Sequence, residues 1–176
     1  PKDAARKKNE LASLEQIDSF AFGRADVVVF PCPEAEEPYY HTWKNYALVR
    51  NEAKLRYLPT GIQGCAAKVD RDEVRKNYGI PSGAFVMSYA GRHNSVKGYD
   101  SLKDAVLPML DRDANMWMIV AGKEGPLPSP SHERWIEVGW TSDPHSLIAA
   151  SDVFILPNRE TFFDLIMLEV LSLGVP

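Results

Sequence analysis

From residue 85 to residue 173 the chain alternates short, almost wholly apolar runs with segments of helical spacing, and few architectures accommodate that rhythm. Strands are predicted over 85–90, 117–121, 135–138 and 153–156, and helices over 99–110, 144–150 and 162–173. A strand that is apolar nearly throughout is buried on both faces, and parallel neighbours need crossover connections of helical length. The pattern therefore implies an α/β fold with a doubly wound parallel sheet. In such sheets ligands bind outside the carboxyl ends of the strands, so chemistry is sought in the loops that follow strands.

The first part of the chain is less regular. A helix is predicted over 2–22, where Leu11, Leu14, Ile17 and Ala21 share a face and Arg6, Lys7 and Lys8 lie on the solvated side. A buried strand over 26–30 stops at Pro31, a loop rich in Glu follows over 32–38, and a helix over 40–52 gathers Trp43, Tyr46, Ala47 and Arg50. A strand over 55–58 and a charged helix over 70–78 complete this stretch. Two strands rarely make an independent sheet. Residues 1–68 therefore read as the tail of one α/β domain and a linker, and residues 69–176 as most of a second domain. The last residues, Gly174-Val175-Pro176, stand where a further strand is due, as in an excerpt of a longer protein.

Composition narrows the function classes. Hydrophobic residues at 45% and charged residues at 25% are the balance of a globular domain. Twenty Lys+Arg against 24 Asp+Glu give a net charge of -4, so the basic footprint of a nucleic-acid-binding protein is absent and any anion site must be local. The longest apolar stretch, 165–175, is interrupted by Glu169 and Ser172 and falls short of the ~20 residues that cross a bilayer. Cys32 and Cys65 lie far apart, and His41, His93, His132 and His145 never reach ligand spacing, so neither a disulfide scaffold nor a metal site is expected. No leader segment is visible, which makes a reducing cytoplasmic setting the default.

Two constellations carry chemistry. The loop Gly91-Arg92-His93-Asn94-Ser95-Val96-Lys97-Gly98 leaves a predicted strand and opens a predicted helix, where backbone N–H groups and the helix dipole favour an anion. Gly91 permits close approach, Arg92 offers a planar fork and Lys97 a mobile point charge, which suits a diphosphate; the alternative is a solvated surface loop. The loop matches neither the Walker pattern nor GxGxxG. The second constellation runs from Asn158 to Glu169. There Thr161 and Asp164 read as a helix N-cap with its acidic third residue. Glu169 lies among Leu165, Ile166, Leu168, Val170 and Leu173, where a carboxylate needs a partner: either a ligand hydroxyl pair or an internal Arg or Lys. Gly122 and Gly139-Trp140-Thr141 open turns on the same rim as Arg92. Trp140 either stacks on a base or caps the core, the cap being favoured by its apolar area. His93 reads as a solvated loop histidine.

Taken in order, these pieces resemble the nucleotide-sugar-binding half of GT-B glycosyltransferases of group 1, the GT4-like type. The resemblance rests on Ala25-Asp26-Val27-Val28-Val29-Phe30, Tyr57-Leu58-Pro59-Thr60-Gly61-Ile62, Tyr78-Gly79-Ile80-Pro81, Gly91-Arg92 with Lys97-Gly98, Ile119-Val120-Ala121-Gly122, Val138-Gly139-Trp140, and Ala150-Ser151-Asp152-Val153-Phe154-Ile155-Leu156-Pro157 leading to Leu168-Glu169-Val170 and Leu173-Gly174-Val175-Pro176. It covers nearly the whole chain. It implies a retaining transferase that moves a sugar from a UDP-, GDP- or ADP-sugar to a glycan, lipid-linked or protein acceptor, without a bound metal or other cofactor. By the resemblance Arg92 and Lys97 grip the donor diphosphate, Glu169 binds the ribose hydroxyls, and Gly91, Gly122, Trp140, Phe163 and Asp164 line the donor site.

The chain departs from the family pattern at three points. The first glutamate of the two-glutamate motif falls on Thr161, with Glu160 one residue early, so either would have to serve the sugar. Phe163 and Asp164 stand where glycine is usual, and an aspartate at a helix N-terminus repels an incoming diphosphate. The acceptor-side catalytic elements lie in the remainder of the first domain, so this stretch alone is expected to be inactive. Peripheral association with the inner face of a membrane is compatible with a lipid-linked acceptor. A non-catalytic partner subunit of an active transferase is the alternative, with Thr161 as its support.

Overall fold

The computed structural model describes residues 2–123, 125–159, 161 and 163–176, with side chains from residue 12 onward. Two compact units divide between Thr60 and Gly61, rather than between residues 68 and 69. Residues 61–69 go with the second unit because their backbone is tied there: Cys65 N donates to Ser172 Oγ at 2.8 Å, and Lys68 N and Val69 N donate to Ser146 Oγ at 2.9 and 3.0 Å.

The first unit holds α1 (Lys2–Arg24), β1 (Val28–Phe30), α2 (Glu37–Thr42), α3 (Tyr46–Val49) and β2 (Leu55–Tyr57). The two strands pair in parallel, Val28 opposite Leu55 and Phe30 opposite Tyr57. Phe30, Trp43, Tyr46 and Leu55 form the buried core, and Phe22 packs on it edge-to-face with Tyr46 at 5.7 Å. Four expectations are corrected here. The face of α1 marked by Leu14, Ile17 and Ala21 is exposed, and Phe22 is the residue that reaches the core. The strand over 26–30 is half-exposed, with Val27 and Val29 open. The loop over 32–38 is a 3₁₀ turn (Pro33–Glu36) running into α2, since Pro33 and Pro38 each sit in a first turn where a missing N–H costs nothing. The single helix over 40–52 is broken at Trp43, whose extended backbone lets both Trp43 and Tyr46 turn inward.

Glu36 lies beneath this aromatic core, buried, and accepts from the hydroxyls of Tyr40, Tyr46 and Tyr57 while pairing with Arg50. Burial alone would raise its pKa, but Arg50 and the three phenols outweigh that and hold it at about 2.

The second unit contains α4 (Arg71–Asn77), β3 (Phe85–Ala90), α5 (Tyr99–Arg112), β4 (Met116–Ala121), β5 (Trp135–Gly139), α6 (Pro144–Ala149), β6 (Val153–Phe154) and α7 (Leu165–Ser172). The strands form one parallel sheet in the order β5-β4-β3-β6. This is the doubly wound parallel α/β fold that the alternation implied. On one face Met87, Tyr89, Met118 and Val120 pack against Leu102, Val106 and Leu110 of α5. On the other, Val86, Ile119 and Ala121 meet Val74 of α4 and Leu147 of α6. The period of two along each strand thus feeds two separate cores.

Asp152 binds the second face together. Its Oδ2 accepts from Arg75 Nη2 at 2.9 Å and from Val86 N at 2.7 Å, and its Oδ1 pairs with Arg71. Arg75, only 3% exposed, also donates to the carbonyls of Ala150 and Ala84, both at 2.9 Å. Burial pushes the Asp152 carboxyl up, and the Val86 amide and the two guanidinium groups bring it below its ordinary value. No helix among the described residues is long and apolar enough to cross a membrane.

The acid dependence of the first unit follows from Glu36. A carboxylate whose folded pKa is depressed contributes its full stabilisation above its unfolded value of 4.5 and loses it as pH falls towards about 2. Glu36→Ala is expected to destabilise this unit by about 3 kcal/mol at neutral pH, and Glu36→Gln to flatten the loss of stability below about pH 4.5. Amide exchange of β1 and β2, measured at neutral pH and at about pH 3, checks both.

Candidate functional site

The carboxyl ends of β3, β4 and β5 open onto a cleft of ≈ 160 Å³. Its floor is Ala90 and Gly91 after β3 and Ala121 and Gly122 after β4; Trp140, Thr141 and Pro144 form the wall beyond β5. The floor is tight because backbones touch. Gly91 N donates to Ala121 O at 2.9 Å and Gly122 N to Gly139 O at 2.8 Å. Gly122 has φ 145°, and a Cβ there would lie 1.9 Å from Gly91 O. Trp140 is 77% exposed, so its favoured role as a cap on the core is corrected. It is the first residue past β5, beyond the pleat that would point it inward, and it lines the cleft.

The loop between β3 and α5 carries the two predicted cations. Arg92 is exposed, with its carbonyl held by Tyr89 Oη at 2.9 Å. Lys97 is half-buried; its amide donates to Asn94 Oδ1 at 2.8 Å, and its Nζ lies 3.1 Å from Asp164 Oδ1. Gly98, at φ 64°, precedes α5, and a Cβ there would lie 1.9 Å from Pro157 O. Arg159, which sequence reasoning passed over, ties the segment after β6 to this loop: its N donates to Val96 O at 3.1 Å, and its Nη2 lies 3.0 Å from Asp100 Oδ2.

The reading of Thr161 and Asp164 as a cap with its third residue is corrected. The described helix α7 starts at Leu165, and Asp164 occupies the N-cap position without a side-chain cap bond. Its carboxylate is turned aside to Thr161, Asn158 and Lys97 instead. Burial would raise the Asp164 pKa, and these three partners lower it below the ordinary carboxylate value. Phe163 is half-buried and Thr161 exposed; Glu160, and the helix start expected at residue 162, lie outside the described residues.

Glu169, on α7, is half-exposed, not deeply buried, and its neighbour is neither Arg nor Lys. His145 Nε2 lies 3.2 Å from Glu169 Oε2, and His145 follows Pro144 of the cleft wall. His93, expected in solvent, is fully buried because its ring stacks on Tyr99. The structure thus joins Lys97 with Asp164 and Thr161, places Gly91, Gly122 and Trp140 around one cleft, and pairs Glu169 with His145. His145 carried no local signal, since its partner Glu169 lies 24 positions away. Among the described residues no group of three or more His, Cys, Asp or Glu could hold a metal ion. A guanidinium, an ammonium and an exposed indole on one rim suit a ligand with an anionic part and a flat ring.

Residues 84–176 match a family model described as glycosyl transferases group 1. The chain is 28% identical over 141 residues to the O-antigen biosynthesis glycosyltransferase WclY of Escherichia coli, covering 75% of this chain and 39% of WclY. Its fold is similar to that of Alr3699/HepE of Anabaena in complex with UDP and glucose, with a TM-score of 0.69 at 16% identity, covering 92% of this chain and 46% of that one. It is also similar to the catalytic domain of starch synthase IV from Arabidopsis thaliana bound to ADP and acarbose, with a TM-score of 0.66 at 16% identity over 89% of this chain and 40% of that one. The chain spans 28–39% of the length of the curated relatives it matches.

The cleft floor predicts its own sensitivity. Gly122→Ala sets a methyl group against the Gly91 carbonyl and is expected to cost about 2–3 kcal/mol, whereas Gly83→Ala, where a Cβ meets nothing within 4 Å, is expected to be nearly neutral. Urea unfolding of the two variants measures the contrast.

Proposed function

This chain belongs to the group 1 glycosyltransferases, with the GT-B type of fold, and we propose that its cleft binds a nucleotide-diphosphate sugar for transfer of the sugar, with retention, to a glycan, lipid-linked or protein acceptor. The observation that carries this reading is the cleft of Gly91, Gly122 and the exposed Trp140 at the carboxyl ends of the strands, with Arg92 following Gly91 in the chain and Lys97 two residues ahead of α5.

In this reading the diphosphate lies across Gly91 at the mouth of α5. Arg92 forks onto it, Lys97 reaches it as a point charge, and the helix dipole adds to both. When the sugar leaves, negative charge grows on the diphosphate, and these fixed positive groups stabilise it without reorganising. The charge balance is assigned to side chains and not to a divalent cation. Trp140 stacks on the base, and Glu169 accepts from the ribose hydroxyls through the oxygen that His145 leaves open. Phe163 and Thr161 are assigned to the sugar side, where the family's first glutamate would be, with Glu160 as the alternative to Thr161 in sequence. Structures of similar fold hold UDP or ADP, which makes these the first donor nucleotides to test, with GDP beside them. Residues 1–60 are assigned to the acceptor-side domain and 61–176 to the donor-side domain. The chain alone would then bind donor without turning it over, in the cytoplasm or, with a lipid-linked acceptor, at the inner membrane face.

Asp164 sets the resting state of Lys97. The ion pair at 3.1 Å must loosen when a diphosphate arrives, and the carboxylate repels that ligand. Thermal shift with UDP, ADP and GDP tests the reading: a nucleotide at about 100 times its Kd stabilises by about 2.7 kcal/mol. Arg92→Ala and Glu169→Ala are expected to remove the shift, and failure of all three nucleotides on folded protein overturns the assignment. Asp164→Asn is expected to bind the same nucleotide about fivefold more tightly, on the order of 1 kcal/mol, read by titration calorimetry.

A further inference from the structure

We propose that His93 is a positioning residue that, through Glu137, holds the backbone of the diphosphate loop in its binding shape. The assignment rests on the donor-site reading above and deepens it. His93 adjoins the exposed Arg92, yet it is 0% exposed. Its ring lies face to face with the Tyr99 ring, centroids 3.9 Å apart and planes 2° apart. Its Nε2 lies 3.1 Å from Glu137 Oε1 on β5. The other Glu137 oxygen accepts from Tyr99 Oη at 3.0 Å and from Trp135 Nε1 at 3.1 Å.

The His93 backbone is fastened as well. Its N donates to Lys123 O at 3.3 Å and its carbonyl accepts from Leu127 N at 3.1 Å. One residue thus joins the β3–α5 loop to the first turn of α5, to β5 and to the segment after β4. An apolar residue would fill this space with no need for a carboxylate. Taking imidazole and carboxylate out of water together costs free energy, and a buried polar network of this kind yields a single conformation rather than bulk stability. The beneficiary is Arg92, whose long side chain binds a diphosphate well only if its Cα is already fixed.

The test uses the 176-residue chain with two variants. His93→Phe keeps a flat ring on Tyr99 and removes the nitrogen; Glu137→Gln keeps shape and removes the charge. Titrations with UDP and ADP are set against uridine and adenosine. Each variant is expected to lose about tenfold in affinity for the nucleoside diphosphate while nucleoside binding stays unchanged, and the double variant to lose no more than either single one. Unchanged diphosphate affinity in folded variants, or equal loss for nucleoside and diphosphate, overturns the proposal. Amide exchange over residues 91–98 of the unliganded protein separates it from the donor-site reading. If the wild type binds no nucleotide, that reading fails by itself, whereas faster exchange in folded Glu137→Gln still supports the hold on the loop and unchanged exchange refutes it.

Discussion

The rim of the parallel sheet depends on backbone meeting backbone. Ala90 and Ala121 end β3 and β4 in register, so the segments that leave these strands emerge side by side. They stay in contact because Gly122 leaves room for the Gly91 carbonyl and Gly98 leaves room for that of Pro157. A side chain at either glycine would separate the loops that carry Arg92, Lys97 and Asp164. The cleft is therefore a consequence of strand register and two missing methyl groups, and the charged residues around it are hung on that frame.

Carboxylates drawn out of water organise the rest, each with a different set of donors. Asp152 collects one backbone amide and two guanidinium groups and so fixes β3 and α4 to the chain entering β6. Glu36 gathers three phenols and Arg50 and orders the aromatic core of the first unit. Glu137 draws Tyr99, Trp135 and His93 towards β5. Asp164 takes Lys97, Asn158 and Thr161 and leaves the N-terminus of α7 without a side-chain cap. A buried carboxylate is tolerable only when several donors converge, and convergence fixes geometry in a way that apolar packing does not.

Much of the second unit was legible in the sequence. The six residues 85–90 form β3 as read, and α5 starts at Tyr99, because a run of apolar residues and a helix-period pattern are local properties of the chain. The first unit was less legible. The periodicity through residues 40–52 is genuine, but Trp43 and Tyr46 both find the same core, and the helix breaks to let them. The stripe on α1 is also genuine, yet Leu14 and Ile17 remain exposed, because periodicity marks a face and says nothing of what covers it.

Sequence by itself determined the fold class and the neighbourhood of Arg92 and Lys97, since strand, glycine, cation and helix start follow one another within eight residues. Tertiary structure decided the rest: that Trp140 lines the cleft, that His93 is buried, that Lys97 meets Asp164 and that Glu169 meets His145. These pairings lie 24 and 67 positions apart. They form because parallel register brings the ends of distant strands to one rim, and no local pattern of residue types encodes which side chains will then face each other.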